Sequence, residues 1–182
     1  MPHHPWPPRD DGLEVAGTAD VDALLVLRDE LAAWMEASGI DQWHPGELAR
    51  EKVASWVEAG LVLVRPARHG DAGDVPLLGA IAVLPDDPEF WGATGEDGTA
   101  GYVHLLMVRR QAHGRGLGDE LLGGAEARIA ATGRGLARLD AASDNARLSA
   151  WYERRGYRAI RRVELPGLGP TTLREKALAP GR

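Results

Sequence analysis

Tyr102-Val103-His104-Leu105-Leu106-Met107-Val108-Arg109-Arg110-Gln111-Ala112-His113-Gly114-Arg115-Gly116-Leu117-Gly118 is the stretch whose reading decides the fold. Its first seven residues are an apolar run suited to a strand. Leu117, Leu121, Leu122, Ala125 and Ile129 then recur at helical spacing, so a strand, a glycine-rich turn and a helix follow one another. That arrangement suits a phosphate group. Gly114 and Gly116 carry no side chain to hold a ligand away from the backbone, and the first N–H groups of the helix point at an anion with the helix dipole behind them. Arg109, Arg110 and Arg115 add positive charge at the same place.

Spacing separates the nucleotide-binding loops from one another. A Walker loop needs Lys and then Ser or Thr after its last glycine, but Asp119-Glu120 follow Gly118. A dinucleotide fingerprint needs glycine at its sixth place, which Asp119 occupies when Gly114 is counted first. What remains is Gln111, two residues, Gly114, one residue, Gly116, directly after a strand ending in Val108. Downstream, Leu136 to Ala141 reads as a short strand, followed by Asn145, then Tyr152 seven residues on, then Gly156-Tyr157. These two motifs, in this order, resemble the acyl-CoA-binding segments of the GNAT superfamily of N-acetyltransferases. The likeness is strong from about Tyr102 to Tyr157 and rests on element order elsewhere.

The resemblance implies a mixed, mostly antiparallel α/β sheet of six to seven strands flanked by about four helices. Strands four and five splay apart in that fold, and the pantetheine arm lies between them. It implies acetyl-CoA as co-substrate, contacted by Leu106, Met107, Val108, Arg109, Arg110, Gln111, Gly114, Arg115, Gly116, Leu117, Gly118, Asn145 and Tyr152, with the N–H of Met107 or Val108 facing the oxyanion. Some of these residues have a second reading. Asn145 suits an N-cap equally well, Gly118 suits helix–strand packing, and Arg110 and Arg115 suit solvated surface charge.

Moving an acetyl group from a thioester to an amine requires a neutral amine, a stabilised oxyanion and a proton for the thiolate. By resemblance Tyr152 is the general acid, the alternative being core packing beside Leu148 and Trp151. His104 is the strand-four side chain with a suitable pKa for a base; otherwise it is a sheet histidine bonded to a neighbour. Asp41, Trp43, Glu47 and Trp91 fall in segments that, by resemblance, cover the acceptor mouth, and Asp140 on the fifth strand is a further candidate. Carboxylates with tryptophans can hold a cationic amine by charge and cation–π contact, although tryptophans are more often packing and exposed carboxylates more often solvated. The leading expectation is transfer to the primary amine of a small molecule in a ternary complex, with a protein or peptide amine, or a non-catalytic acyl-CoA-binding module, as alternatives. Paired chains are common in the family, which makes a homodimer a possible assembly.

Composition narrows the classes. The chain has 182 residues, enough for one domain with one core. A formal net charge of −6 argues against nucleic acid as the main partner. With no cysteine there is no disulfide, no thiolate metal site and no acyl-cysteine intermediate. No GxSxG elbow offers a nucleophilic serine. The six histidines, at 3, 4, 44, 69, 104 and 113, lack metal-ligand spacing, so no metal is expected. Neither a membrane span nor an apolar signal-peptide core is visible, which makes a cytoplasmic location the expectation. The opening residues 1–12, rich in proline, are expected to form a mobile tail before a single domain over 13–182.

Upstream, Leu13 to Gly17 reads as a first strand and Asp20 as the N-cap of a helix whose apolar face is Leu24, Leu27, Leu31, Trp34 and Met35. Pro45 suits the first turn of a second helix, with Leu48 or Ala49, Val53, Trp56 and Val57 inward and Gly60 closing it. Leu61 to Val64 and Pro76 to Leu84 read as buried strands around a polar hairpin loop. Pro85 to Gly101 reads as an irregular connection. Two alternating strands, about Tyr157 to Leu165 and Thr171 to Leu178, close the chain around Pro166 to Pro170.

Overall fold

The computed structural model describes residues 5–68, 71, 75–165 and 169–179. Its elements are β1 (Glu14–Val15), α1 (Val21–Ala37), α2 (Arg50–Glu58), β2 (Val62–Pro66), β3 (Leu77–Leu84), α3 (Pro88–Trp91), β4 (Ala100–Val108), α4 (Leu117–Ala131), β5 (Leu136–Ala142), α5 (Ala146–Glu153), β6 (Arg158–Leu165) and β7 (Gly169–Ala177). The strands form one seven-stranded sheet in the order β1-β2-β3-β4-β5-β7-β6. β4 and β5 pair parallel, and the ladders β1–β2, β2–β3, β5–β7 and β6–β7 are antiparallel. The expected element order is present, with α3 added as a single turn inside the Pro85–Gly101 connection. Parts of the two expected hairpin turns, at 69–70, 72–74 and 166–168, lie outside the described residues.

By contact the chain divides into two compact units: Met1–Val83 with Leu105–Arg128, and Leu84–His104 with Ile129–Arg182. The core of the first gathers Leu24, Leu27 and Leu31 of α1, Val53 and Val57 of α2, Val62 and Val64 of β2, Ala80 and Ala82 of β3, and Met107 of β4. β3 is apolar on both faces and almost wholly buried, as its continuous apolar run requires. Backbones approach closely here. A Cβ at Gly79 would lie 2.7 Å from the carbonyl oxygen of Met107, which only glycine accommodates. On α4, the spaced residues Leu117, Leu121, Leu122, Ala125 and Ile129 are all buried, so the periodicity identified the helix and its inward face correctly.

Three local expectations are corrected. α2 starts at Arg50 rather than at Pro45, because residues 41–49 are tied down as a loop on α1: Asp29 Oδ1 accepts from Gly46 N–H at 3.0 Å. Trp34 and Met35 at the end of α1 are only half-buried. The proline-rich opening is anchored from Trp6 onward. The Trp6 ring is buried and its Nε1–H donates to the Val83 carbonyl at 2.9 Å, while Asp11 forms an ion pair with the buried Arg128 of α4. A buried indole with a satisfied N–H outweighs the inability of its proline neighbours to enter regular structure.

In the second unit Trp91, Ala100, Tyr102 and Leu173 form a core cluster. Arg138 of β5, buried itself, donates to Glu175 at 2.7 Å, to the Thr94 carbonyl at 2.7 Å and to the Tyr102 hydroxyl at 3.1 Å. Pairing with a carboxylate and further acceptors is what allows a guanidinium to be buried. Gly101 leaves room for Ile129, whose Cγ1 lies 2.5 Å from where a Cβ would stand.

Candidate active site

The β4–β5 ladder runs only from Ala100↔Leu136 to Val103↔Leu139. β5 goes on pairing with β7 as far as Ala142↔Thr171. Two residues after the β4–β5 ladder ends, Leu105 has a φ of +48°, the one non-glycine residue with positive φ among the described residues. Such a conformation costs a bulky residue about 1–3 kcal/mol and is held only by its surroundings. Nothing in the composition of an apolar run signals this, and the sequence reading missed it.

In the first unit, the peptide that joins β4 to the loop is held on both sides. Arg109 N–H donates to the Leu78 carbonyl at 2.8 Å, and the Val108 carbonyl accepts from His113 Nε2 at 3.0 Å. A short 3-10 turn over Arg110–Ala112 follows, and the carbonyl of Gly116 accepts from Asp119 and Glu120 as α4 begins. Among the described residues the backbone N–H groups of Gly114, Arg115, Gly116, Leu117 and Gly118 donate to no protein acceptor. Gly114 and Gly116 both have φ of +79°, and a Cβ on either would meet nothing within 4 Å. Five consecutive unpaired donors on a turn left open by Gly114 and Gly116, ahead of a helix, fit a pyrophosphate group. Arg115 is exposed at the same turn.

Other loop residues are used differently from the expectation. Arg109 is buried, donates through Nε to the Leu77 carbonyl at 3.0 Å and pairs with Glu30 of α1. Its charge is already neutralised, so it anchors the loop and does not face a phosphate. Gln111 lies exposed in the 3-10 turn, Met107 and the Leu117 side chain are buried in the core, and Leu106 and Val108 are half-buried. His113, not singled out from the sequence, ties the loop to β4.

In the second unit His104 lies between two carboxylates. Its Nε2 is 3.2 Å from Asp87 Oδ2 and its Nδ1 is 3.5 Å from Asp140 Oδ1. The ring of Phe90 packs at 5.9 Å, and Asp87 is 6% exposed. Burial raises the pKa of Asp140; the nearby His104 lowers it again, and the charge of Asp87 raises it further. The sequence pointed to His104 and Asp140 but not to Asp87. An Asp before Pro88 reads as an ordinary N-cap, yet its side chain caps nothing and turns to the histidine instead.

Tyr152 of α5 is buried, its ring edge-on to Trp151 and Tyr157 at 5.0 and 5.7 Å. Burial first, and then the Asp140 charge, raise its pKa, so the phenol keeps its proton across the physiological range. Among the described residues its hydroxyl makes no hydrogen bond. Asn145 caps α5, its Oδ1 accepting from Leu148 N–H at 3.0 Å.

The acceptor candidates are divided between the units. Trp43 and Glu47 hold the buried Arg28 of α1, while Asp41 lies exposed beside His44. Trp43 stacks on that guanidinium at 4.2 Å, Glu47 pairs with it at 3.6 Å, and Asp41 pairs with His44 at 3.1 Å. Trp43 and Glu47 are therefore occupied in fastening the loop, whereas the Asp41 carboxylate is 93% exposed. Trp91 is 5% exposed and packs in the core, with Tyr102 and Arg138 against its ring. Asp140, on β5, keeps 24% of its side chain accessible beside His104.

Sheet order and the glycine turn ahead of α4 are those of an acyltransferase fold. The chain belongs to the acetyltransferase (GNAT) family, whose model matches residues 26–157. It is 30% identical over 145 residues to the uncharacterized N-acetyltransferase YesJ of Bacillus subtilis (strain 168), a match covering 76% of each chain. Among solved structures it resembles a GNAT-family acetyltransferase from Listeria monocytogenes 4b F2365, with TM-score 0.73 and 25% identity over 91% of this chain and 94% of that one. The fold is also that of a chain in the NatC complex bound to Gag peptide and CoA, at TM-score 0.68 and 15% identity, over 92% of this chain and 98% of that one. Among the described residues no helix is long and apolar enough to cross a membrane.

Proposed function

We infer that the chain is an N-acetyltransferase that moves an acetyl group from acetyl-CoA to the primary amine of a small molecule, without a covalent enzyme intermediate. The observation that carries the amine assignment is His104 held between Asp87 and Asp140. A primary ammonium has a pKa of about 10 and must lose a proton before it can attack. The carboxylates of buried Asp87 and partly accessible Asp140 favour the ammonium on arrival and stabilise the imidazolium once His104 has taken its proton.

Acetyl-CoA supplies the thioester whose C–S bond breaks as the C–N bond forms. The unpaired N–H groups of Gly114 to Gly118 hold its pyrophosphate, with Arg115 adding charge, and the N–H of Met107 or Val108 faces the developing oxyanion. Asp87 Oδ2 accepts Nε2–H and so fixes the imidazole tautomer, which makes Nδ1 the nitrogen that takes up the amine proton. Tyr152 keeps its phenolic proton for the departing thiolate. Asn145 caps the helix that carries it.

Thermal unfolding with acetyl-CoA, CoA, NAD and ATP in parallel tests the loop assignment. Ligand at a hundredfold over its Kd stabilises by about 2.7 kcal/mol, a rise of roughly 5–10 °C for a chain of this size. A rise with the two CoA species alone supports the reading, and thiol release over an amine panel then identifies the acceptor. A rise with NAD or ATP and none with CoA overturns it.

A further inference from the structure

His113 does something that neither a flexible loop nor a phosphate ligand would do. The Val108 carbonyl can only accept, so the 3.0 Å contact from Nε2 places a hydrogen on that nitrogen. The Arg110 guanidinium can only donate, so its 2.8 Å contact makes Nδ1 an acceptor without a proton. Together the two contacts require the neutral imidazole in its Nε2–H tautomer. Arg110 is itself placed from outside the loop, its guanidinium over the Trp34 ring of α1 at 3.8 Å. A continuous chain thus runs from Trp34 through Arg110 and His113 to the last carbonyl of β4, directly before the five unpaired N–H groups.

We propose that His113 is a positioning residue for the cofactor loop: as the neutral splint between Arg110 and Val108 it holds the Gly114–Gly118 donors in their binding arrangement, and its protonation releases them. The proposal rests on acetyl-CoA being the ligand of that loop. A proton on Nδ1 would replace the bond to Arg110 with two cations at contact distance. Among the described residues, charged groups of the surrounding elements include Arg115 in the loop, the Arg109–Glu30 pair that ties the loop to α1, and Asp119 and Glu120 in the first turn of α4. Glu120 lies 3.5 Å from Arg65 of β2. Arg109 and Glu30 neutralise each other. Imidazole is the side chain whose protonation state is open to change between pH 5 and 8.

The test is calorimetric titration of the folded chain with acetyl-CoA at pH 7.5 and pH 5.5, for the wild type, His113→Gln and His113→Ala. Glutamine can accept from Arg110 through Oε1 and donate to Val108 through Nε2, and it does not titrate. The expected result is that wild type and His113→Gln bind alike at pH 7.5, and that His113→Ala binds about tenfold more weakly. On going to pH 5.5 the wild type loses about tenfold more affinity than His113→Gln. The glutamine variant also cancels any titration of the ligand's own phosphate, whose second pKa is about 6. Equal affinity of His113→Ala and wild type at pH 7.5, or the same pH dependence in wild type and His113→Gln, overturns the proposal. If the wild type binds acetyl-CoA at neither pH, the loop assignment falls and takes the splint with it; wild-type binding with indifferent variants overturns the splint alone.

Discussion

Gly116→Ala separates what the loop does for stability from what it does for the ligand. Gly116 has φ of +79°, and a Cβ there meets nothing within 4 Å. The substitution therefore adds no clash, and its cost to the apo fold is the left-handed conformation, about 1–2 kcal/mol. Loss of unfolded-chain freedom offsets that by about 0.4–1 kcal/mol, leaving a net of roughly 1 kcal/mol. For a chain of this length Tm falls by about 2–4 °C. Gly39, at φ +71° and equally open, is the control: Gly39→Ala carries the same backbone cost in a turn after α1. The two variants differ only where a pyrophosphate must approach the backbone. At a hundred times the wild-type Kd, acetyl-CoA stabilises wild type and Gly39→Ala by about 2.7 kcal/mol. If the methyl weakens binding a hundredfold, Gly116→Ala gains only about 0.4 kcal/mol, roughly 1 °C. Scanning fluorimetry with and without acetyl-CoA reads both quantities. An undiminished ligand shift in Gly116→Ala, with its apo Tm matching that of Gly39→Ala, would refute the placing of phosphate on this turn.

Tyr152→Phe keeps the ring contacts with Trp151 and Tyr157 and removes the proton donor; turnover should fall by about 10²-fold or more with acetyl-CoA affinity unchanged, as steady-state and binding measurements would show. Asp87→Asn offers an amide N–H where His104 Nε2 now finds a carboxylate, which favours the wrong tautomer. Turnover near neutral pH should drop by about 10²-fold while acetyl-CoA binding stays the same, and unchanged kcat would remove Asp87 from the mechanism. Asp140, with its native pKa above the unfolded value, contributes most to stability below the unfolded pKa of about 3.8 and loses that contribution as pH rises through the native value. Asp140→Asn should accordingly stabilise the fold at pH 7 relative to wild type, in a denaturant titration, while lowering amine turnover. Gly101→Ala drives a methyl against Ile129 and should cost about 1–3 kcal/mol, seen as a lower denaturation midpoint with no change in acetyl-CoA affinity per folded molecule.

Sequence alone determined the loop and the helix behind it, because glycine placement and a repeat of apolar residues every three or four positions are local properties. The burial of Leu117, Leu121, Leu122, Ala125 and Ile129 follows directly from that repeat. The strand and helix order was legible in the same way, whereas Asn145 stood open between a cap and a cofactor contact until the structure showed it capping α5. Tertiary structure decided which charges are available. Arg109 and Arg115 look equivalent in a basic loop, yet one is buried against Glu30 and the Leu77 carbonyl and the other is exposed. Trp91 and Trp34 are both tryptophans beside polar segments, but one is core and the other holds Arg110. Asp87 reached His104 across 17 positions of sequence, and the left-handed Leu105 was imposed inside an apolar run that reads as a regular strand. These outcomes depend on which distant groups packing brings within a few ångströms and on how much water it leaves around them, and no periodicity in the chain encodes either.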